Sequence, residues 1–218
     1  TLSGGSRTYS RWLGCCSAFD CQPAARATAT RINAAAGRRT LDDDWPYDAA
    51  ALYLVRRFQQ LRLRYPRLCL ISSGEVTVRL DHKPGGKIGT GGRNQQFALA
   101  AALALAGEVD HFSPQADAMQ EPGTDWQQPA LDRENDLALC VFSAGTDGMD
   151  GNSPAAGAIA DPSTLARARA LNFDPVQSLF SFDACPLFSA LGDTVVTGKT
   201  GHNLRDLRLL LSTPISAE

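Results

Sequence analysis

Three glycine-rich stretches, far apart in the chain, hold most of the residues whose types and spacing could do chemistry. The first, GGKIGTGGRNQQ, packs five glycines and one arginine immediately before the apolar run FALAAALALA. Glycines such as Gly91 and Gly92 at a strand-to-helix junction let backbone N–H groups approach a ligand. Arg93 can fork two hydrogen bonds to a carboxylate or phosphate, and Asn94 and Gln95 add neutral donors. The stretch reads either as an anion site or as a flexible crossover; neither a Rossmann nor a Walker spacing fits it. Glu75, directly after Ser72-Ser73-Gly74, is a candidate for metal, ribose or helix-dipole contact, or else an exposed strand carboxylate. The second stretch, Gly145-Thr146-Asp147-Gly148-Met149-Asp150-Gly151, sets two carboxylates three residues apart between glycines. Such a pair could hold Mg²⁺ or take a proton from a hydroxyl, or shape the crossover as two Asx turns. The third runs from Thr197 to Asn203. Thr197, Gly198, Lys199, Thr200 and Asn203 offer hydroxyls, backbone amides and an ammonium to an anion, and His202 reads as a surface histidine. Its GKT is not a phosphate loop, because the position five before Gly198 is Asp193 rather than glycine.

Each stretch needs a strand and a helix to hold it. RLCLISSG reads as a short buried strand, EVTVRL as an alternating second strand, and residues 94–106 as the helix after the first glycine loop. LALCVFSAG is a continuous apolar run of the kind expected for a buried parallel strand. Residues 162–171, 174–179 and 183–191 read as helices, the first capped by Ser163 or Asp161, and DTVVTG and LRDLRLLLS as strands. Upstream, AARATATRINAAAG is expected to be a short helix ending at Gly37, and residues 49–64 a helix with Asp48 as its N-cap. Arg56, Arg57, Arg62, Arg64 and Arg67 are expected on its solvated face. Strand, polar loop and helix recurring three times predict an α/β fold: a layered sheet with helices on both faces and ligand loops at the carboxyl ends of strands. The expected organisation is a loop-rich lead over residues 1–45 and an α/β domain over 46–218, with a surface insertion at 107–135.

Composition narrows the function classes. The 44% apolar and 20% charged fractions are those of a globular chain that buries its own core. A net charge of -2 and a pI near 5.9 give no field that favours nucleic acid or an anionic membrane. The six cysteines match no zinc module; Cys69 and Cys140 fall in strand-like runs and read as small buried hydrophobes. With no signal peptide and no apolar run of membrane-spanning length, the chain is expected to be soluble and cytoplasmic, with reduced thiols. It begins at Thr1 and is read as a fragment or a processed form.

Four motifs in register over residues 68–212 resemble the C-terminal domain of the MOFRL-containing glycerate 2-kinases, a family that also carries the label hydroxypyruvate reductase. They are Ser72-Ser73-Gly74-Glu75-Val76-Thr77-Val78, then Gly91 to Leu99, then Gly145 to Gly151 with Ala155 to Ala158, then Gly192-Asp193 with Thr197 to Leu207. The resemblance implies transfer of the γ-phosphoryl of ATP to the 2-hydroxyl of D-glycerate with Mg²⁺. By position, Arg93 would bind the substrate carboxylate or the transferring phosphoryl, Asp147 and Asp150 would shape the site or contact metal (Asp147 being the metal candidate), and Thr197, Thr200 and Asn203 would line it.

The chain departs from the family pattern at Ser73 for glycine, Gln96 for glutamate, Lys199 for proline and His202 for threonine. Family members also carry a long N-terminal α/β domain that forms the other wall of the cleft and supplies a lysine. The residues before the matching region are too few for it, and residues 24–65 resemble its end. The resemblance therefore implies the C-terminal part of a kinase, weak or inactive alone, completed by a missing N-terminal domain or by a homo-oligomer. The alternatives are a reductase, which would need a nicotinamide site although no GxGxxG follows any strand here, and a non-catalytic module that binds a small anion or docks on a partner.

Overall fold

The protein is described by a computed structural model over residues 30–31, 45–79, 89–113 and 137–214. In chain order the elements are β1 (Thr30–Arg31), α1 (Tyr47–Arg64), β2 (Leu68–Ser73), α2 (Arg93–Leu105), β3 (Leu137–Gly145), β4 (Gly157–Ala160), α3 (Thr164–Ala170), α4 (Pro175–Phe180), α5 (Ala184–Leu191), β5 (Thr194–Val195) and β6 (Asp206–Pro214). The strands form one sheet in the order β1-β2-β6-β3-β4-β5. β1 runs parallel to β2, and every other neighbouring pair is antiparallel. The last strand of the chain thus lies at the sheet's centre.

Strand alternation decides where the core lies. Leu70, Leu210, Val141 and Ala160 stand in one row across four strands and are fully buried. Helices cover that face. α2 is buried from Asn94 to Ala104, as expected of a helix that is apolar on all sides. Its alanines let α1 and the sheet close in from opposite sides, with Phe58 and Leu54 of α1 and Leu187 and Phe188 of α5 completing the cluster. The layered α/β architecture is the one read from the sequence, but the described helices gather on this single face. On the opposite face the neighbouring row, Ile71, Leu209, Phe142 and Ile159, is half-buried or exposed and lies outside the core cluster.

Several local expectations need correcting. The strand at 137–145 is antiparallel to both neighbours, because burial on both sides produces the same continuous apolar run whatever the strand direction. Gly157–Ala160, inside what the sequence presented as a loop, is a strand of poor intrinsic propensity. It pairs with β3 at a place where any Cβ on Gly157 would collide with the Ser143 carbonyl. EVTVRL forms no strand over its described residues. Its one bridge is between Thr77 and Pro46, at the start of a helix that offers no ladder to extend. Thr30 and Arg31, expected in a helix, instead pair with Leu70 and Ile71, where sheet hydrogen bonds outweigh a marginal alanine-rich helix.

At α1 the N-cap is Pro46, not Asp48. The Asp48 carboxylate lies in the first turn and accepts from the Ala49 amide at 2.8 Å and the Ser113 amide at 2.6 Å. Arg62 is buried rather than on the solvated face, whereas Arg64 and Arg67 are exposed. At the start of α3, Ser163 occupies the N-cap position without a side-chain cap bond, and the Asp161 carboxylate accepts from the Ser163 amide at 2.7 Å. Cys140 is buried and Cys69 half-buried. Most of the expected 1–45 lead and 107–135 insertion lies outside the described residues.

Candidate functional site

Antiparallel pairing brings the three glycine-rich stretches to one edge of the sheet. β2 and β3 both end there, and β6, running against both, begins there, so Asp206 stands opposite Gly145 and Leu207 lies between Ser73 and Ala144. The first stretch follows β2, the second follows β3, and the third joins β5 to β6.

The centre of this edge is an ion network. Arg93 donates through Nε to Asp206 Oδ2 at 2.7 Å, and through Nη2 to Asp206 Oδ1 at 3.1 Å and Glu75 Oε1 at 2.9 Å. The Asp206 carboxylate, with no exposed side-chain surface, also accepts from Arg208 Nη2 at 3.3 Å. Arg208 is itself fully buried, donates to the Gly74 carbonyl at 2.9 Å and lies over the Phe97 ring at 4.9 Å. Burial pulls its pKa down to about 10 against the support of Asp206, which leaves it charged at neutral pH. For Arg93 burial also acts to lower the pKa, but the hydrogen bond and charge of Asp206, with Glu75 and Asp150, more than offset it. Arg93 is thus held on Nε and Nη2. Its Nη1 has no protein partner among the described residues.

Asp150 is placed differently from a free catalytic carboxylate. It is buried at the start of α2, accepting from the Asn94 amide at 2.9 Å, the Gln95 amide at 2.8 Å and Asn94 Nδ2 at 3.3 Å. It satisfies the helix's orphan donors from a distant loop. Burial raises its pKa, opposed by those three bonds. The pairing requires glycine at 92, since a Cβ there would collide with both the backbone and the carboxylate of Asp150. The Asn94 and Gln95 side chains also serve the fold: Asn94 Oδ1 accepts from Ser143 Oγ, and Gln95 Nε2 donates to Ser153 Oγ, both at 2.6 Å. Gly91 donates to Asn152 Oδ1 at 2.8 Å.

The second and third stretches are zipped together. The Thr200 amide donates to the Asp147 carbonyl at 3.1 Å and Thr200 Oγ1 to the Thr146 carbonyl at 2.6 Å, while Thr146 Oγ1 bonds the Arg205 carbonyl and the Leu204 amide. Asn203 turns its side chain onto the Arg205 amide, and Thr197 onto the Gly198 carbonyl. Lys199 and His202 are exposed.

A cleft of about 730 Å³ opens beside the network. Glu75, Gly91, Gly92, Arg93, Asp147 and Asp150 line it together with Gln96, Asn152, Met149 and Phe182. Asn94, Gln95, Thr197, Gly198, Lys199, Thr200 and Asn203 are not part of that lining. Among the described residues no three acidic, histidine or cysteine side chains converge as a metal cage. Asp147 uses Oδ1 to accept from the Met149 amide at 3.0 Å, and its other oxygen has no partner among the described residues. The sequence marks Gln96 only as a departure from the family pattern, and does not single out Asp206 or Arg208. The alternation of LRDLRLLLS does place Asp206 and Arg208 on the face of Leu210, a pair of charges on the core side of a strand.

Residues 68–206 match the sequence profile of the MOFRL family. The D-glycerate 2-kinase of Thermotoga maritima is 36% identical over 151 residues, covering 69% of this chain and 28% of that protein. A putative hydroxypyruvate reductase of Agrobacterium vitis is 33% identical over 162 residues, covering 74% and 30%. The glycerate kinase of Danio rerio is 31% identical over 150 residues, covering 67% and 24%. The chain thus spans between about a quarter and a third of the length of these curated relatives. Among solved structures, a glycerate kinase of Thermotoga maritima superposes with a TM-score of 0.57 at 29% identity, covering 77% of this chain and 34% of that one. A Pyrococcus horikoshii protein shares the fold with a TM-score of 0.58 at 24% identity, covering 79% and 33%.

Proposed function

The chain belongs to the MOFRL family, and from that premise we propose that it is the C-terminal part of an ATP-dependent glycerate 2-kinase, acting on the 2-hydroxyl of D-glycerate and turning over poorly by itself. The observation that carries this reading is Arg93: a guanidinium fixed on two sides by Asp206 and Glu75, lining a cleft, with Nη1 left for an anion. Phosphoryl transfer is chiefly positioning and charge neutralisation. A pre-fixed arginine supplies both for a substrate carboxylate or a transferring phosphoryl group, with little ordering left to occur on binding.

Asp147 is the residue that would hold Mg²⁺. That ion commonly uses one or two carboxylates and takes its remaining ligands from phosphates and water, so a lone cleft carboxylate with an unpartnered oxygen fits it. When bound, Mg²⁺ would supply neutralisation of phosphate charge. Asp150, consumed by three hydrogen bonds, shapes the site rather than accepting a proton. The residues of the third stretch hold the second in place and so position Asp147. The missing wall of the cleft would come from the remainder of a relative-length protein or from a second copy. The reductase label of some relatives finds less support, since no dinucleotide fingerprint follows any strand.

Isothermal titration of the chain with D-glycerate and separately with Mg·ATP tests the reading. Binding of either, abolished in Arg93→Ala while the circular dichroism spectrum is unchanged, supports it; affinity unchanged in that variant overturns the anion site. Turnover by the chain alone at a rate usual for kinases, roughly 1–100 per second, would refute the half-site.

A further inference from the structure

Among the described residues, Gln96 is the one cleft-lining residue whose buried polar side chain makes no hydrogen bond. It is 1% exposed, and neither its Nε2 nor its Oε1 has a hydrogen-bond partner. The neighbouring Gln95, equally buried, does use its Nε2, on Ser153. Folding rarely leaves both ends of a buried carboxamide unpaired, because each such group forfeits its hydration without replacement. Where that happens in a cleft wall, the group is set to be satisfied by what enters the cleft.

Position narrows what enters. Arg93 and Gln96 are one turn apart on α2, so their Cβ atoms lie about 5–6 Å apart on one side of the helix. Arg93 presents an N–H donor to an anion; Gln96 holds one donor and one acceptor buried within the wall of the same cleft. A hydroxyl is the small group that gives and takes a hydrogen bond at once. We propose that Gln96 reads a hydroxyl of a small hydroxy-carboxylate whose carboxylate is held by Arg93, making it the residue that separates hydroxy acids from plain carboxylates. This rests on the carboxylate-site reading of Arg93 given above.

The test is titration of the full chain with D-glycerate and with propionate, which keeps the carboxylate and lacks hydroxyls, alongside thermal melts of wild type, Gln96→Met and Gln96→Leu. Methionine matches glutamine in length and helix propensity, so it removes the amide and little else. Wild type is expected to bind glycerate more tightly than propionate. In Gln96→Met the glycerate affinity is expected to fall about tenfold and the propionate affinity to stay, while the melting midpoint rises by roughly 2–4 °C, because an unpaired polar group has left the interior. Equal weakening of both acids, no weakening, or a lower midpoint in both variants would overturn the role of Gln96. Those results leave the Arg93 site standing if Arg93→Ala still abolishes binding. Wild type that binds no glycerate overturns the carboxylate site and this proposal with it.

Discussion

Replacing Asp206 by asparagine should be the most damaging single change at the site, and the structure says why. The carboxylate has no exposed side-chain surface and is shared by two guanidiniums, Arg93 at 2.7 and 3.1 Å and Arg208 at 3.3 Å. Asparagine keeps the shape and one acceptor but removes the charge. Arg93 is more than a third exposed, so solvent screens its loss and that half of the network contributes little to stability. Arg208 is the costly half. Fully buried, it would retain the Gly74 carbonyl, the Phe97 ring and at most a neutral amide oxygen, with no counter-charge. Stranding a buried charge in this way typically costs about 3–5 kcal/mol. For a chain of this size that lowers the melting midpoint by roughly 6–20 °C. Urea unfolding followed by far-ultraviolet circular dichroism measures the loss directly. The decisive arm is Asp206→Asn combined with Arg208→Met, which removes both buried charges and should recover most of the loss. A loss under about 1 kcal/mol in Asp206→Asn, or a double variant less stable than the single by the full cost of Arg208→Met, would refute the claim that Asp206 serves chiefly to neutralise a buried arginine.

Three further outcomes follow from particular contacts. Asp150→Ala strips the carboxylate from the start of α2 and should cost about 1–2 kcal/mol, the upper range for a lost cap, measured by the same unfolding curves. Asp150 also sets a pH dependence. Its folded pKa is raised from 3.8 by burial, so between 3.8 and the raised value the folded chain holds a proton that the unfolded chain has released. Stability from this group then falls as pH rises through that window and is level above it. The stability of wild type minus that of Asp150→Asn, followed by urea unfolding from pH 3.5 upward, should fall and then flatten; a difference that climbs with pH would contradict the assignment. Gly157→Ala drives a Cβ into the Ser143 carbonyl between β3 and β4, and a loss of about 1–3 kcal/mol is expected. Normal stability in that variant would show that β4 can move away from β3 at no cost.

What the sequence revealed and what it hid divide along a physical line. Elements with a strong period or a continuous apolar run, α1, α2, β2, β3 and β6, are found within two residues of where the residue pattern puts them. Pairing direction was not legible, because a run buried on both faces looks alike in parallel and antiparallel sheets, and only the order β2-β6-β3 settles it. β4 was hidden for a different reason. Gly157, Ala158 and Ala160 are chosen for how closely β3 approaches, not for strand propensity. At the site, residue type told which groups could act but not which were already occupied. Arg93 and Asp150 stand in comparably suggestive loops. One keeps a guanidinium nitrogen for the cleft, and the other spends both oxygens on a helix end 55 residues away in sequence.

That division bears on what this cleft wall can do. Glu75 and Asp206 are engaged in fixing Arg93, Asp206 also in holding Arg208, Asp150 in joining two loops, and the third stretch in pinning the second. Among the described residues, the Arg93 Nη1, one oxygen of Asp147 and the Gln96 amide stand unpaired in the cleft wall. An anion clamp, a single carboxylate for a cation and a neutral amide can bind and orient. For most chemistries such a set would be inadequate. Phosphoryl transfer, the reaction proposed above, draws most of its rate from orientation and charge neutralisation, and it is the chemistry to which such a set is best suited. The spent charges are what give that wall its rigidity, so their substitution is expected to show first as lost stability and only then as lost binding.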